Sequence, residues 1–120
     1  MIINLTQHPA TPEQKDAGVT DLEGIALQAV KDMLTFRNIP DQDEIRSRCA
    51  ALVVSATMTG AKKAMIGGAP FLMTALERAL KHNGIQPLYA FSQREVIEQQ
   101  TENGEVVKKA IFKHLGFVES

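Results

Sequence analysis

The residues of this chain that could handle an anion fall in a few short stretches. His8 follows an apolar run, Met1 to Leu5, and precedes Pro9. An imidazole titrates near neutral pH, so it can move a proton or hydrogen-bond a phosphate. Gly67-Gly68-Ala69-Pro70 lies between an apolar run and a helical pattern. Two glycines let backbone approach a ligand closely, and the helix that follows presents unpaired N–H groups and a partial positive charge. Arg94, Lys113 and His114 flank an Asn103-Gly104 pair. A two-residue Asn-Gly turn pairs Glu102 with Glu105 and, further back, Arg94 with Lys113. Like charges directly opposite repel, and a bound phosphate would reverse the sign of that contact. Each signal also has a plainer reading. The glycines suit an ordinary strand-to-helix turn, His8 a loop-ordering hydrogen bond, and Arg94, Lys113 and His114 a solvated ribbon.

Other chemistry finds little support. The lone cysteine, Cys49, sits among apolar neighbours and reads as a buried structural thiol. No Cys/His cluster has zinc spacing, and no serine sits in a nucleophile elbow. Asp41, Asp43 and Glu44 are explained by helix capping, and His82 by the last turn of a helix. No metal or cofactor is expected. The net charge of −1 and pI near 6.3 give no global field for long nucleic acid, so any anion site must be local. The N-terminus lacks the basic-then-apolar pattern of a signal peptide, and no apolar run nears the roughly 20 residues of a membrane span. A cytoplasmic protein with no membrane partner is expected.

These residues need elements to position them. Met1 to Leu5 reads as a buried strand. Thr11-Pro12-Glu13-Gln14 forms a capping box for a short helix ending near Gly18, and Val19 suits a very short strand or a turn. Thr20 to Glu23 repeats the capping pattern before a helix presenting Leu22, Ile25, Ala26, Val30, Met33 and Leu34. Asp41 opens a helix burying Ile45, Cys49, Leu52, Val53 and Ala56. Ala64-Met65-Ile66 reads as a buried parallel strand, followed by a helix carrying Leu72, Leu76, Ala79 and Leu80. Pro87 to Phe91 is the next strand, and Arg94–Thr101 and Glu105–Lys113 form a hairpin about Asn103-Gly104. Strands alternating with helices imply one Rossmann-like, three-layer α/β domain over residues 1–120, with a short parallel sheet and a C-terminal β-hairpin.

In such sheets ligands bind beyond the carboxyl ends of the strands. Three segments are expected there: Thr6-Gln7-His8, Gly67-Gly68-Ala69, and Ser92-Gln93-Arg94. They should converge on one electropositive hollow.

The wording of these segments resembles a known family. Pro87-Leu88-Tyr89-Ala90-Phe91-Ser92-Gln93-Arg94-Glu95, the Asn103-Gly104 turn and Ile111-Phe112-Lys113-His114 resemble the C-terminal half of small CRISPR-associated ring nucleases. Asn4-Leu5-Thr6-Gln7-His8-Pro9-Ala10-Thr11-Pro12-Glu13-Gln14 resembles the opening of related CRISPR accessory proteins. The likeness covers the two ends of the chain, and Ile66-Gly67-Gly68-Ala69-Pro70 departs from it. It implies a CARF-like fold, a homodimer, and metal-independent degradation of a cyclic oligoadenylate by attack of a ribose 2′-hydroxyl on its own phosphate. Carried over, Arg94 would hold a phosphate. His8, Lys113 or His114 would stabilise charge or move a proton, and Gly67 and Gly68 would cradle the ring. Two alternatives stand beside this one: a module that senses or sequesters a nucleotide, and a protein-interaction subunit.

Overall fold

A computed structural model describes all of residues 1–120. Five strands form one mixed sheet: β1 Ile2–Leu5, β2 Val19–Thr20, β3 Lys63–Ile66, β4 Gln86–Gln100 and β5 Val106–Glu119. Their order is β2-β1-β3-β4-β5. The first four run parallel, and β5 pairs antiparallel to β4. Four helices lie between the strands: α1 Pro12–Asp16, α2 Gly24–Leu34, α3 Gln42–Met58 and α4 Pro70–His82. No helix is long and apolar enough to cross a membrane.

The sheet divides the core by the twofold alternation of strand side chains. Ile3, Leu5, Ala64 and Ile66 face α2, α3 and α4, and join Val30, Leu52, Leu72, Leu76 and Leu80 in the main cluster. Ile2, Met65 and Leu88 face the other way, against Ala10, Val19 and Phe117. That second layer is thin, because α1 buries none of its own residues. The faces are therefore covered unequally: three helices lie on one, and little more than the Ala10 segment on the other.

Helix α3 behaves as its sequence predicts. Asp41 accepts from the Glu44 N–H at 2.8 Å, and Ile45, Cys49, Leu52, Val53 and Ala56 are the buried positions. Burial also pushes the Cys49 thiol pKa up. Helix α1 has the expected capping box between Thr11 and Gln14. Helix α2 differs. It starts at Gly24 without a side-chain cap, Thr20 belongs to β2, and Ile25 is exposed rather than core. Its expected capping box fails because Thr20 is drawn into the sheet, and the helix starts later than that box requires, with Glu23 at its N-cap.

The largest departure is β4. It does not end at Phe91 but runs on to Gln100, with a bulge between Phe91 and Ser92. No glycine or proline interrupts Ser92-Gln93-Arg94, so those residues stay extended and pair with β5. The result is a long two-stranded arm. The molecule measures 57 × 33 × 28 Å with a radius of gyration of 17.0 Å, against roughly 14 Å for a compact chain of this length.

The arm's register also differs from the expected one. The Thr101 N–H donates to Glu105 O at 2.8 Å, and the Gly104 N–H to Thr101 O at 2.9 Å. Gly104 has φ +79°, whereas Asn103 does not have positive φ. The loop is thus Glu102-Asn103-Gly104, a three-residue turn with glycine in the left-handed position, not a two-residue Asn-Gly turn. That shifts the ladder by one residue. Arg94 lies opposite Phe112, Lys113 opposite Gln93, His114 opposite Ser92, and Glu98 opposite Lys108. The expected Arg94–Lys113 pair does not form, and the charge argument for a phosphate between them goes with it.

Candidate functional site

The strand order changes direction between β1 and β3. From β1 the chain steps outward to β2, then crosses back to β3 and continues to β4. Loops leaving β1 and β3 therefore part to opposite faces, and a crevice opens between them. A cleft of about 540 Å³ lies there, within the usual range for small-ligand pockets. Its walls come from Thr6 to Pro9 after β1, Ile66 to Ala69 after β3, and Tyr89 and Ala90 on β4, with Thr11, Gln14 and Leu34 at the margins.

The β1 wall is built around Asn4, the one polar residue buried in the core. Its amide donates to His8 O and to Asp21 Oδ1, both at 2.8 Å. Its side-chain oxygen accepts from the Thr6 N–H at 2.9 Å and lies 2.7 Å from the Thr6 hydroxyl. Asp21 in turn holds the Ala10 N–H. A lone asparagine inside Ile2-Ile3-Asn4-Leu5 thus folds the Thr6–His8 turn back on itself, in an Asx-type arrangement.

The turn is tied to α2 as well. Gln7 Nε2 donates to Thr35 Oγ1 at 3.0 Å. The end of α2 is fixed by Arg48, which donates to the carbonyls of Asp32, Met33 and Thr35 and stacks over Phe36 at 4.1 Å. Thr6 and Gln7 therefore use their polar atoms for positioning. The ring of His8 is exposed, and none of the turn's hydrogen bonds uses it.

The β3 wall is backbone. Gly68 has φ +154°, a conformation side chains rarely adopt, and a Cβ there would meet Met73 at 3.4 Å. Helix α4 starts at Pro70 without a side-chain cap. The Gly68 and Ala69 N–H groups enter no backbone hydrogen bond, so this wall offers donors to an anion.

The third wall was not foreseen as part of the site. Tyr89 packs on the main core and lines the cleft. Its hydroxyl pKa is pushed up to about 12, by burial first and then by hydrogen bonding to Glu77 and that residue's charge. Glu77 is held below its ordinary value, mainly by a hydrogen bond from the Ser120 side chain and then by Tyr89. The tyrosine therefore stays a neutral donor across the physiological range. A clue was its place two residues after Pro87, at the carboxyl end of the parallel part of β4. The clue to Asn4 and Asp21 was equally small: a polar residue in an apolar strand.

Of the sequence-predicted residues, the structure brings together Thr6, Gln7, His8, Gly67, Gly68 and Ala69. Ser92, Arg94, Lys113 and His114 line no part of the cleft and stand on the arm. His114 packs edge-on against Phe117, with both ring nitrogens buried and unpartnered. The hollow is not electropositive as expected, since no lysine or arginine lines it. Any anion there must be held by His8 and neutral donors: backbone N–H groups, hydroxyls and the amides of Gln7 and Gln14.

The architecture is thus a mixed α/β sheet with a crevice at its switch point. A family model described as the uncharacterized protein MJ1673 family matches residues 1–118, and the chain belongs to that family. Comparisons with curated proteins and with solved structures returned no match.

Proposed function

We propose that the cleft binds a phosphate-linked cyclic nucleotide of the cyclic oligoadenylate class, on a Rossmann-like, CARF-like domain, and opens it without a metal. One observation carries the reading. The N-terminal segment that resembles CRISPR accessory proteins, Asn4 to Gln14, builds the β1 wall of the cleft, at the crevice where open α/β sheets bind ligands. The opposite wall, Gly67 to Ala69, supplies unpaired N–H groups for phosphate.

In this reading the ribose 2′-hydroxyl attacks the adjacent phosphorus. A bond forms from O2′ to phosphorus and the P–O5′ bond breaks, leaving a 2′,3′-cyclic phosphate and a 5′-hydroxyl. His8 takes the 2′ proton or returns one to O5′. Gly68 and Ala69 N–H groups steady the phosphoryl oxygens. Arg94, Lys113 and His114, to which the resemblance gives roles, do not reach the cleft within one chain.

A second reading, binding without cleavage, is favoured by one feature: His8 is the only histidine, lysine, arginine or acidic side chain among the lining residues. The experiment separates the two. Wild type and His8→Ala are incubated with cyclic tetra-adenylate in a chelator, with products read by mass spectrometry and stability by thermal shift. Linear products from wild type only support cleavage. Stabilisation without products supports the second reading. Neither effect contradicts both.

A further inference from the structure

The arm is the least protected part of the molecule. Seven of the thirteen exposed large apolar side chains lie on β4 and β5, among them Val96, Val106 and Phe112. Beyond Leu88 the sheet has only these two strands. A two-stranded ribbon alone is marginal in water, and needs a further surface against one face.

One face carries that surface. Beyond the bulge, strand alternation places Ser92, Arg94, Val96, Glu98 and Gln100 on the same side as His114, Phe112, Ala110, Lys108 and Val106, their cross-strand partners. Val96, Phe112 and Val106 stand 58%, 76% and 61% exposed. On the opposite side Glu95, Ile97 and Ile111 are already half-buried.

We propose that this face is covered by the same face of a second copy of the chain. A twofold interface must be self-complementary, and the row order is. Reading towards the tip, the rows are Arg94–Phe112, Val96–Ala110 and Glu98–Lys108. A twofold axis through the Val96–Ala110 row, across the strands, lays Val96 on its own counterpart. The same operation lays Arg94 over Glu98 of the other copy, twice, and Phe112 over the Lys108 stem, where a ring attracts a cation. The apolar row is at the centre and opposite charges flank it, the usual layout of an apolar core within a polar rim. Arg94 makes no ion pair within its own chain, and this contact supplies one. The face holds ten side chains per copy, fewer than the roughly 20–30 of a standard interface, so the dimer should dissociate on dilution.

The inference does not depend on what the cleft binds. Its test is the mass of the full-length protein by light scattering after size exclusion, over a dilution series. Wild type is expected to pass from dimer to monomer. Val96→Asp and Val96→Lys, each placing like charges on the axis, are expected to remain monomers at the highest concentration. An equimolar mixture of the two is expected to regain the dimer, which also shows that both variants keep the arm folded. A wild type that is monomeric throughout would overturn the proposal. So would single variants as dimeric as wild type, or a mixture that stays monomeric.

Discussion

The cleft and the arm are both built from strand ends, yet opposite physics positions their residues. At the cleft, a buried polar hub and a covered sheet face fix the backbone of the β1 turn. On the arm, both faces meet solvent, and a three-residue turn alone sets which side chains point where. The difference teaches where functional groups can be held. Geometry fine enough to orient a phosphate needs locked supports, which Asn4, Asp21 and Arg48 provide for the cleft and nothing provides for Arg94 in one chain.

Stability should follow the same division. Leu76→Ala, in the fully buried core under the sheet, is expected to cost about 2–5 kcal/mol in a denaturant melt. Asn4→Leu should cost about 1–3 kcal/mol, because the His8 carbonyl and Asp21 lose their buried donor. It should also abolish ligand binding, since the β1 wall loses its fold. Phe112→Ala on the arm should stay within about 0.5 kcal/mol when measured on dilute monomer. A loss there as large as that at Leu76 would break the comparison.

The subtlest difference is electrostatic. Tyr89 is the chain's single tyrosine and there is no tryptophan, so absorbance at tyrosinate wavelengths reads this residue alone. The folded protein should titrate at about pH 12, against 10 for the free side chain. Because the folded pKa is raised, the associated stability is fully present below pH 10 and is lost as pH rises towards 12. Glu77→Gln should bring the midpoint down, while burial keeps it above 10. An unchanged midpoint would remove Glu77 as a cause of the raised pKa.

The same contrast explains what could be read from the sequence. Helix α3 was legible because Asp41 caps it and Ile45, Cys49, Leu52, Val53 and Ala56 mark its buried face. The glycine bend was legible because only glycine tolerates the backbone at Gly68. The arm was not. Its residues alternate but neither side is fully buried, so periodicity could not fix the register. The Asn103-Gly104 pair suits a two-residue or a three-residue loop, and one residue of slip flips every pairing. The capping box at Thr20 misleads because Thr20 also suits a strand, and pairing with Ile3 takes it into β2. The sequence marks Tyr89 only as a strand aromatic, since its place in the cleft depends on β3 lying beside β4.

Tyr89 emission also offers the most direct test of the central claim, that ligand binds at the β1/β3 crevice and not on the arm. Gly67 tolerates a side chain, because a Cβ there meets Thr6 Cγ2 at 3.6 Å, an ordinary contact. Gly67→Leu should therefore fold and fill the cleft. In a titration with cyclic tetra-adenylate, wild type and an Arg94→Ala/Lys113→Ala variant should show a saturable change in tyrosine emission, and Gly67→Leu none. Normal binding by Gly67→Leu, with loss in the arm variant, would contradict the account.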